Sequence, residues 1–259
     1  MCLILFAYRM HPTYRLIVAA NRDEFYERPT APAHFWEDAP HVLAGRDLLK
    51  MGTWMGVTTS GRFAALTNYR DPAEETRGRR SRGEVVANFL KGTASPEAFV
   101  TDASRSRTFY PGYNLLAGDL QELYYYSNVA DDAQKLQPGI YGVSNHLLDT
   151  PWPKVERGKA GLAEAIRESG EELIERLFDV LRDAEPAPDE RLPSTGVPLE
   201  WERLLSPIFI RSPERGYGTR SSTVIIAGDE AIHVRERVVA HERAEERRFD
   251  VPVRRRGEA

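Results

Sequence analysis

The chain has 259 residues, 41% of them hydrophobic, 29% charged and 10% aromatic, which excludes disordered, collagen-like and coiled-coil chains and suffices to bury a core without a metal or disulfide staple. Its 35 basic residues against 39 acidic ones give a net charge of −4, which argues against nucleic acid or an anionic membrane as a general partner and makes a small molecule the default. The apolar run 3–7 is too short to span a membrane and lacks the flanks of a signal peptide, and a single cysteine fits a reducing compartment, so the expected location is cytoplasmic.

Residues 3–8 and 15–20 are apolar runs separated by the breaker stretch Arg9-Met10-His11-Pro12-Thr13, which predicts an opening β-hairpin. The stretch 29–40, rich in proline and aromatics, reads as a loop, and 52–59 with 62–69 read as a second hairpin joined at Ser60-Gly61. Ser81 and Glu84 have the spacing of a capping box, and Val85, Val86, Phe89 and Leu90 follow at helical intervals. Ser95-Pro96 opens a second helix with an N-cap and a first-turn proline. Residues 113–117 and 122–127 form another hairpin, and 140–144 a further strand. Residues 154–184 are helical with a break near Ser169-Gly170, and 185–194 are a proline-rich, charged surface loop. Strands follow at 208–211, 222–227, 231–237 and 245–253, and 254–259, with Arg254-Arg255-Arg256, is a frayed tail.

Strands, a helix pair, strands, a second helix pair and strands again, joined by short antiparallel connections, predict an α+β fold. The economical packing is a four-layer αββα sandwich of two mainly antiparallel sheets, with 1–259 as one domain.

No P-loop, His-Glu-x-x-His or Gly-x-Ser-x-Gly motif occurs, and Gly216-Tyr217-Gly218-Thr219-Arg220-Ser221 lacks the third glycine of a dinucleotide fingerprint. Scattered histidines and one cysteine give no metal-ligand spacing, so no metal or resident cofactor is expected. What remains is Cys2. Removal of Met1 would place a thiol and a free amine, with a pKa of roughly 7.7 to 8.0, on one residue, and so join nucleophile and base. The polar run Asn21-Arg22-Asp23-Glu24 follows the strand that pairs with the one carrying Cys2. It is expected to leave the sheet at the same end as Cys2. In a regular strand only one of Arg22 and Asp23 can face Cys2.

Met1-Cys2-Leu3-Ile4-Leu5, Asn21-Arg22-Asp23-Glu24, Arg28-Pro29-Thr30, Ala44-Gly45-Arg46-Asp47, Gly52-Thr53-Trp54-Met55-Gly56, Thr67-Asn68-Tyr69-Arg70, Gly142-Val143-Ser144-Asn145 and Gly218-Thr219-Arg220-Ser221 resemble, in order, the NRDE family, also called the transport and Golgi organization protein 2 family. The resemblance covers nearly the whole chain and implies an N-terminal-nucleophile (Ntn) hydrolase type of fold. It links the chain to Golgi organisation, haem trafficking and lipid or acyl-CoA metabolism without fixing a reaction. A more distant similarity to cysteine Ntn amidases implies Cys2 as nucleophile, Asn68 and Asn145 near the oxyanion, and Arg220 as a late arginine. In those amidases the second-strand arginine and aspartate are three residues apart. Here Arg22 and Asp23 are adjacent, and the three-apart pair is Asn21 and Glu24.

The expectation is a cysteine amidohydrolase or acyltransferase acting on an amide or thioester. Its site residues would be Cys2, Asn21, Arg22, Asp23, Glu24, Asn68, Asn145 and Arg220. The alternative is a non-enzymatic carrier of haem or another hydrophobic ligand on the same fold.

Overall fold

The computed structural model describes residues 2–239 and 245–253; Met1 and the predicted tail lie outside them. In chain order the elements are β1 (Cys2–Tyr8), β2 (Tyr14–Phe25), β3 (Thr30–Trp36), β4 (Ala39–Asp47), β5 (Met55–Thr58), β6 (Phe63–Asn68), α1 (Gly83–Lys91), α2 (Pro96–Arg105), β7 (Tyr113–Gly118), β8 (Leu123–Ser127), β9 (Asp132–Lys135), β10 (Gly139–Val143), α3 (Pro153–Ala165), α4 (Gly170–Leu181), α5 (Leu199–Leu204), β11 (Arg211–Ser212), β12 (Tyr217–Gly228), β13 (Ala231–Val238) and β14 (Glu245–Pro252). One sheet runs β10-β1-β2-β12-β13-β14, with β11 beside β12; the other runs β3 to β9 in sequence order. All the pairings are antiparallel.

The period-2 alternation of the strands builds three cores. Ile4, Phe6, Val18 and Ala20 meet Leu43, Val57 and Leu116 between the sheets. Leu3, Leu5, Ile17 and Ala19 face Leu162, Leu173 and Leu177 of α3 and α4. Leu66, Leu115 and Ala117 face Val86, Phe89 and Leu90 of α1 on the far side. The four layers are therefore α, β, β and α, as the element order predicts. Gly158 lets α3 lie directly on β1, because a Cβ there would meet Leu5 at 2.6 Å.

Four local expectations need correction. The strand expected at 208–211 is confined to the two residues of β11, Arg211–Ser212. The proline-rich stretch after Pro29 is two strands: β3 is an edge strand, and Pro32 sits where its register with β4 shifts, so its missing N–H leaves no ladder partner unsatisfied. Asn21-Arg22-Asp23-Glu24 does not leave the sheet. It continues β2, because β12 flanks it and pairs Asn21 with Ser222, Arg22 with Ser221, Asp23 with Thr219 and Glu24 with Gly218. The capping box at Ser81 and Glu84 does not form either. The N-cap of α1 is Arg82, with no side-chain cap, and Glu84 is drawn to Arg80. Ser95 does cap α2, accepting from the Ala98 N–H at 3.3 Å.

Candidate active site

Cys2 opens β1 on the face it shares with Ile4 and Phe6, so its side chain looks between the sheets. It is 8% exposed and forms part of the wall of a cavity of about 770 Å³. Arg22 is its register partner across the β1–β2 ladder and shares its face, and Glu24, two residues on, shares it as well. Burial pushes the Cys2 thiol up and the Asp23 carboxylate adds to this, while the Arg22 charge and a hydrogen bond from the Asp23 backbone N–H pull it back.

The alternation sends Asn21 and Asp23 to the opposite, helix-side face. Asn21 is fully buried there, donating from Nδ2 to the carbonyls of Leu181 and Ile208 at 2.9 Å each and accepting from Ser222 Oγ at 2.7 Å. It ties the end of α4 to the sheet and does not reach Cys2, which corrects its place among the site residues. Asp23 differs because it lies one register position beyond Cys2, past the end of the β1 ladder, and there it lines the cavity. Its Oδ1 accepts from Thr219 Oγ1 at 2.7 Å, and burial raises its pKa against the opposing pull of Lys154. Both Arg22 and Asp23 thus serve the Cys2 surroundings, one by its guanidinium and the other by its main chain and its position.

Arg220 reaches the cavity through a bulge. The β12–β2 register shifts between Thr219 and Ser221, which leaves Arg220 as the extra residue. Its Nη1 donates to the carbonyls of Phe25, Tyr26 and Arg28 at 2.9 to 3.1 Å, which fixes the turn after β2. Asn68 ends β6 and lines the cavity. Asn145 does not. It is fully buried behind the wall, and its Nδ2 donates to the Asn68 carbonyl at 2.9 Å, so it holds Asn68 in place. Ser144 joins the two sides, its Oγ donating to the Cys2 carbonyl at 3.1 Å and lying 3.3 Å from Asn145 Oδ1. Cys2, Ser144, Asn145 and Asn68 form one hydrogen-bonded chain across the gap between the sheets.

The sequence reading misses the charges buried behind this chain. Arg70 and Glu202 pair at 2.7 Å with side chains 5% and 3% exposed, and Thr195 donates to the other Glu202 oxygen through N at 2.8 Å and Oγ1 at 2.6 Å. The Arg70 backbone N–H donates to the Asn145 carbonyl at 2.8 Å. Lys154, 2% exposed, donates to the Leu205 carbonyl at 2.9 Å, and burial lowers its pKa to about 8 although Asp23 pulls it up. A signal for Lys154 exists in the sequence. It stands four and eight residues before Gly158 and Leu162, on the buried stripe of α3. Among the described residues no group of three or more histidine, cysteine, aspartate or glutamate side chains could hold a metal ion. No helix among them is long and apolar enough to cross a membrane.

A family model described as Transport and Golgi organisation 2 matches residues 1–243. The chain belongs to that family. The Transport and Golgi organization protein 2 homolog of Homo sapiens is 39% identical over 246 residues, covering 87% of this chain and 88% of the human one. The Drosophila melanogaster member of the Transport and Golgi organisation 2 family is 29% identical over 253 residues, 89% of each chain. Two solved structures share the fold at low identity. The C2A mutant of conjugated bile acid hydrolase from Clostridium perfringens matches with a TM-score of 0.54 and 8% identity, covering 95% of this chain and 92% of that one. The Caenorhabditis elegans ortholog of N-acylethanolamine-hydrolyzing acid amidase matches with a TM-score of 0.51 and 12% identity, covering 87% and 92%. At these identities the likeness establishes the fold alone. This member of the Transport and Golgi organisation 2 family has an Ntn-hydrolase type of αββα sandwich.

Proposed function

We propose that the protein is a cysteine acyl hydrolase or acyltransferase acting on an amide or thioester, with Cys2 as the nucleophile once Met1 is removed. The observation that carries the reading is the placement of Cys2 between the sheets, in the wall of a large cavity, opposite Arg22 and hydrogen-bonded through Ser144 and Asn145 to Asn68. Nucleophilic acyl chemistry needs a thiolate, a base and fixed donors for the oxyanion.

The free amine of Cys2 takes the thiol proton as Sγ bonds to the substrate carbonyl carbon. The tetrahedral oxyanion is received by the Asn68 side chain, which Asn145 positions. Its collapse breaks the bond to the leaving amine or thiolate, which takes the proton back. Water, or an acceptor in a transfer reaction, then attacks the acyl-cysteine with the amine again accepting the proton, and the acid or transferred acyl product leaves with Cys2 restored. Asp23 and Arg220 orient the charges around this centre, and Arg22 favours the thiolate.

Iodoacetamide should alkylate one site, Cys2, at neutral pH and abolish turnover of an acyl thioester in step with incorporation of the label. Turnover that survives complete alkylation of Cys2 would remove the covalent mechanism.

A further inference from the structure

We propose that Arg22, Arg82 and Arg220 form an anion subsite beside Cys2 that takes a carboxylate- or phosphate-class group of the substrate. The proposal rests on the acyl-transfer reading only for what that group is attached to.

Seven arginines and Lys50 line the cavity, against five carboxylates. The carboxylates are already engaged. Asp47 is held by Arg28 at 2.5 Å, Glu245 by Arg247 at 2.9 Å, Asp23 by Thr219, and Glu236 by the Ala33 N–H at 2.7 Å. Glu24 is shared between Arg22 at 3.8 Å and Arg28 at 3.7 Å, both beyond hydrogen-bond length. Four of the arginines have carboxylates of their own: Arg28 with Asp47, Arg46 with Asp38, Arg79 with Glu74 and Arg80 with Glu84.

Three remain. Arg82 and Arg220 form no ion pair among the described residues and donate only to main-chain carbonyls, Arg82 to that of Gly112 at 3.0 Å. Arg22 is 7% exposed, and among the described residues its buried Nη1 has no hydrogen-bond partner, nor has Nε of Arg220. All three line the same cavity wall: the bulge puts Arg220 beside Ser221, the register partner of Arg22, and Arg82 lies within electrostatic reach of Glu74, Cys2 and Glu24. Like charges on one cavity wall, two of them with buried N–H groups unsatisfied, call for an anion between them, and the planar guanidinium fork matches carboxylate and phosphate oxygens. Neutral amides and thioesters would leave those donors unmatched.

The test uses Cys2→Ala protein, which removes turnover from the measurement, titrated calorimetrically with inorganic pyrophosphate, with succinate and with neutral acetamide. The expected result is saturable one-site binding of at least one anion, none of acetamide, and weakening as sodium chloride rises. Pyrophosphate above succinate assigns a phosphate-class group, and the reverse a carboxylate. Arg82→Met and Arg220→Met should each weaken that binding at least tenfold, with thermal unfolding confirming that both variants fold; Arg82→Lys should lose less. No saturable anion, or equal affinity in the folded variants, overturns the subsite. A second arm compares an N-acylglycine with its neutral glycinamide in the unmodified enzyme, where kcat/KM should favour the anion at least tenfold and Arg82→Met should shrink that ratio. Anion binding without turnover of any acyl compound would sink the hydrolase reading and keep the subsite; turnover without anion binding would do the opposite.

Discussion

Cys2→Ala should lower the turnover of amide or thioester substrates by about a thousandfold or more, since covalent catalysis has no substitute once the sulfur is gone. Cys2→Ser should retain at most a trace, because its hydroxyl gives up its proton far less readily to the same amine. Neither change should unfold the protein. Cys2 stands at the end of β1 in a cavity wall, not inside a packed layer, and losing one sulfur atom there costs about 1 kcal/mol or less. Steady-state kinetics with thermal unfolding on the same samples checks both halves. Retention of more than a tenth of the activity by Cys2→Ala would exclude Cys2 as the nucleophile.

Glu202→Gln should destabilise the fold by about 3 to 5 kcal/mol, the usual cost of leaving one member of a buried ion pair without its partner. In a chain of this size that is a fall in melting temperature of roughly 6 to 20 °C. Glu202 is 3% exposed and carries Arg70 together with two bonds from Thr195, so its loss is felt by α5 and by the chain near Asn68 alike. Arg70→Met should cost a similar amount, and the double replacement Arg70→Met with Glu202→Met less than the two single effects together, because no lone charge is then left buried. Activity should fall in Arg70→Met as well, since the Arg70 main chain supports Asn145, which supports Asn68. Differential scanning calorimetry reads the effect directly; single-variant losses below about 1 kcal/mol would mean that the pair is not the structural tie described here.

What the sequence made legible is local. The apolar runs around Arg9 to Thr13, the Ser60-Gly61 turn and the Ser95-Pro96 helix start carry their signals within a few residues, and Gly61 adopts the left-handed φ of +84° that such a turn requires. The family motifs carried the position of Cys2 in the fold. Illegible were the features set by distant neighbours. Asn21 to Glu24 look like a polar stretch leaving the sheet until β12, some two hundred residues later, is laid beside them and keeps β2 extended to Phe25, so that strand alternation sends Asn21 to the helix side and Arg22 to the cavity. Asn145 reads as an oxyanion donor until the β10–β1 ladder and its bond to Asn68 place it behind the wall. Arg70 and Glu202 carry no local mark of burial, since burying a charge is costly and its compensation is non-local, and Lys154 is marked only by its place on the apolar stripe of α3.

The central claim is an acyl group carried on an N-terminal Cys2. Mixing native protein with excess acyl thioester, quenching in acid within the first turnover and mapping peptides by mass spectrometry tests it most directly. The expected result is an N-terminal peptide that begins at Cys2 and is heavier by the acyl group. A peptide that retains Met1, or steady turnover with no adduct on Cys2, would contradict it.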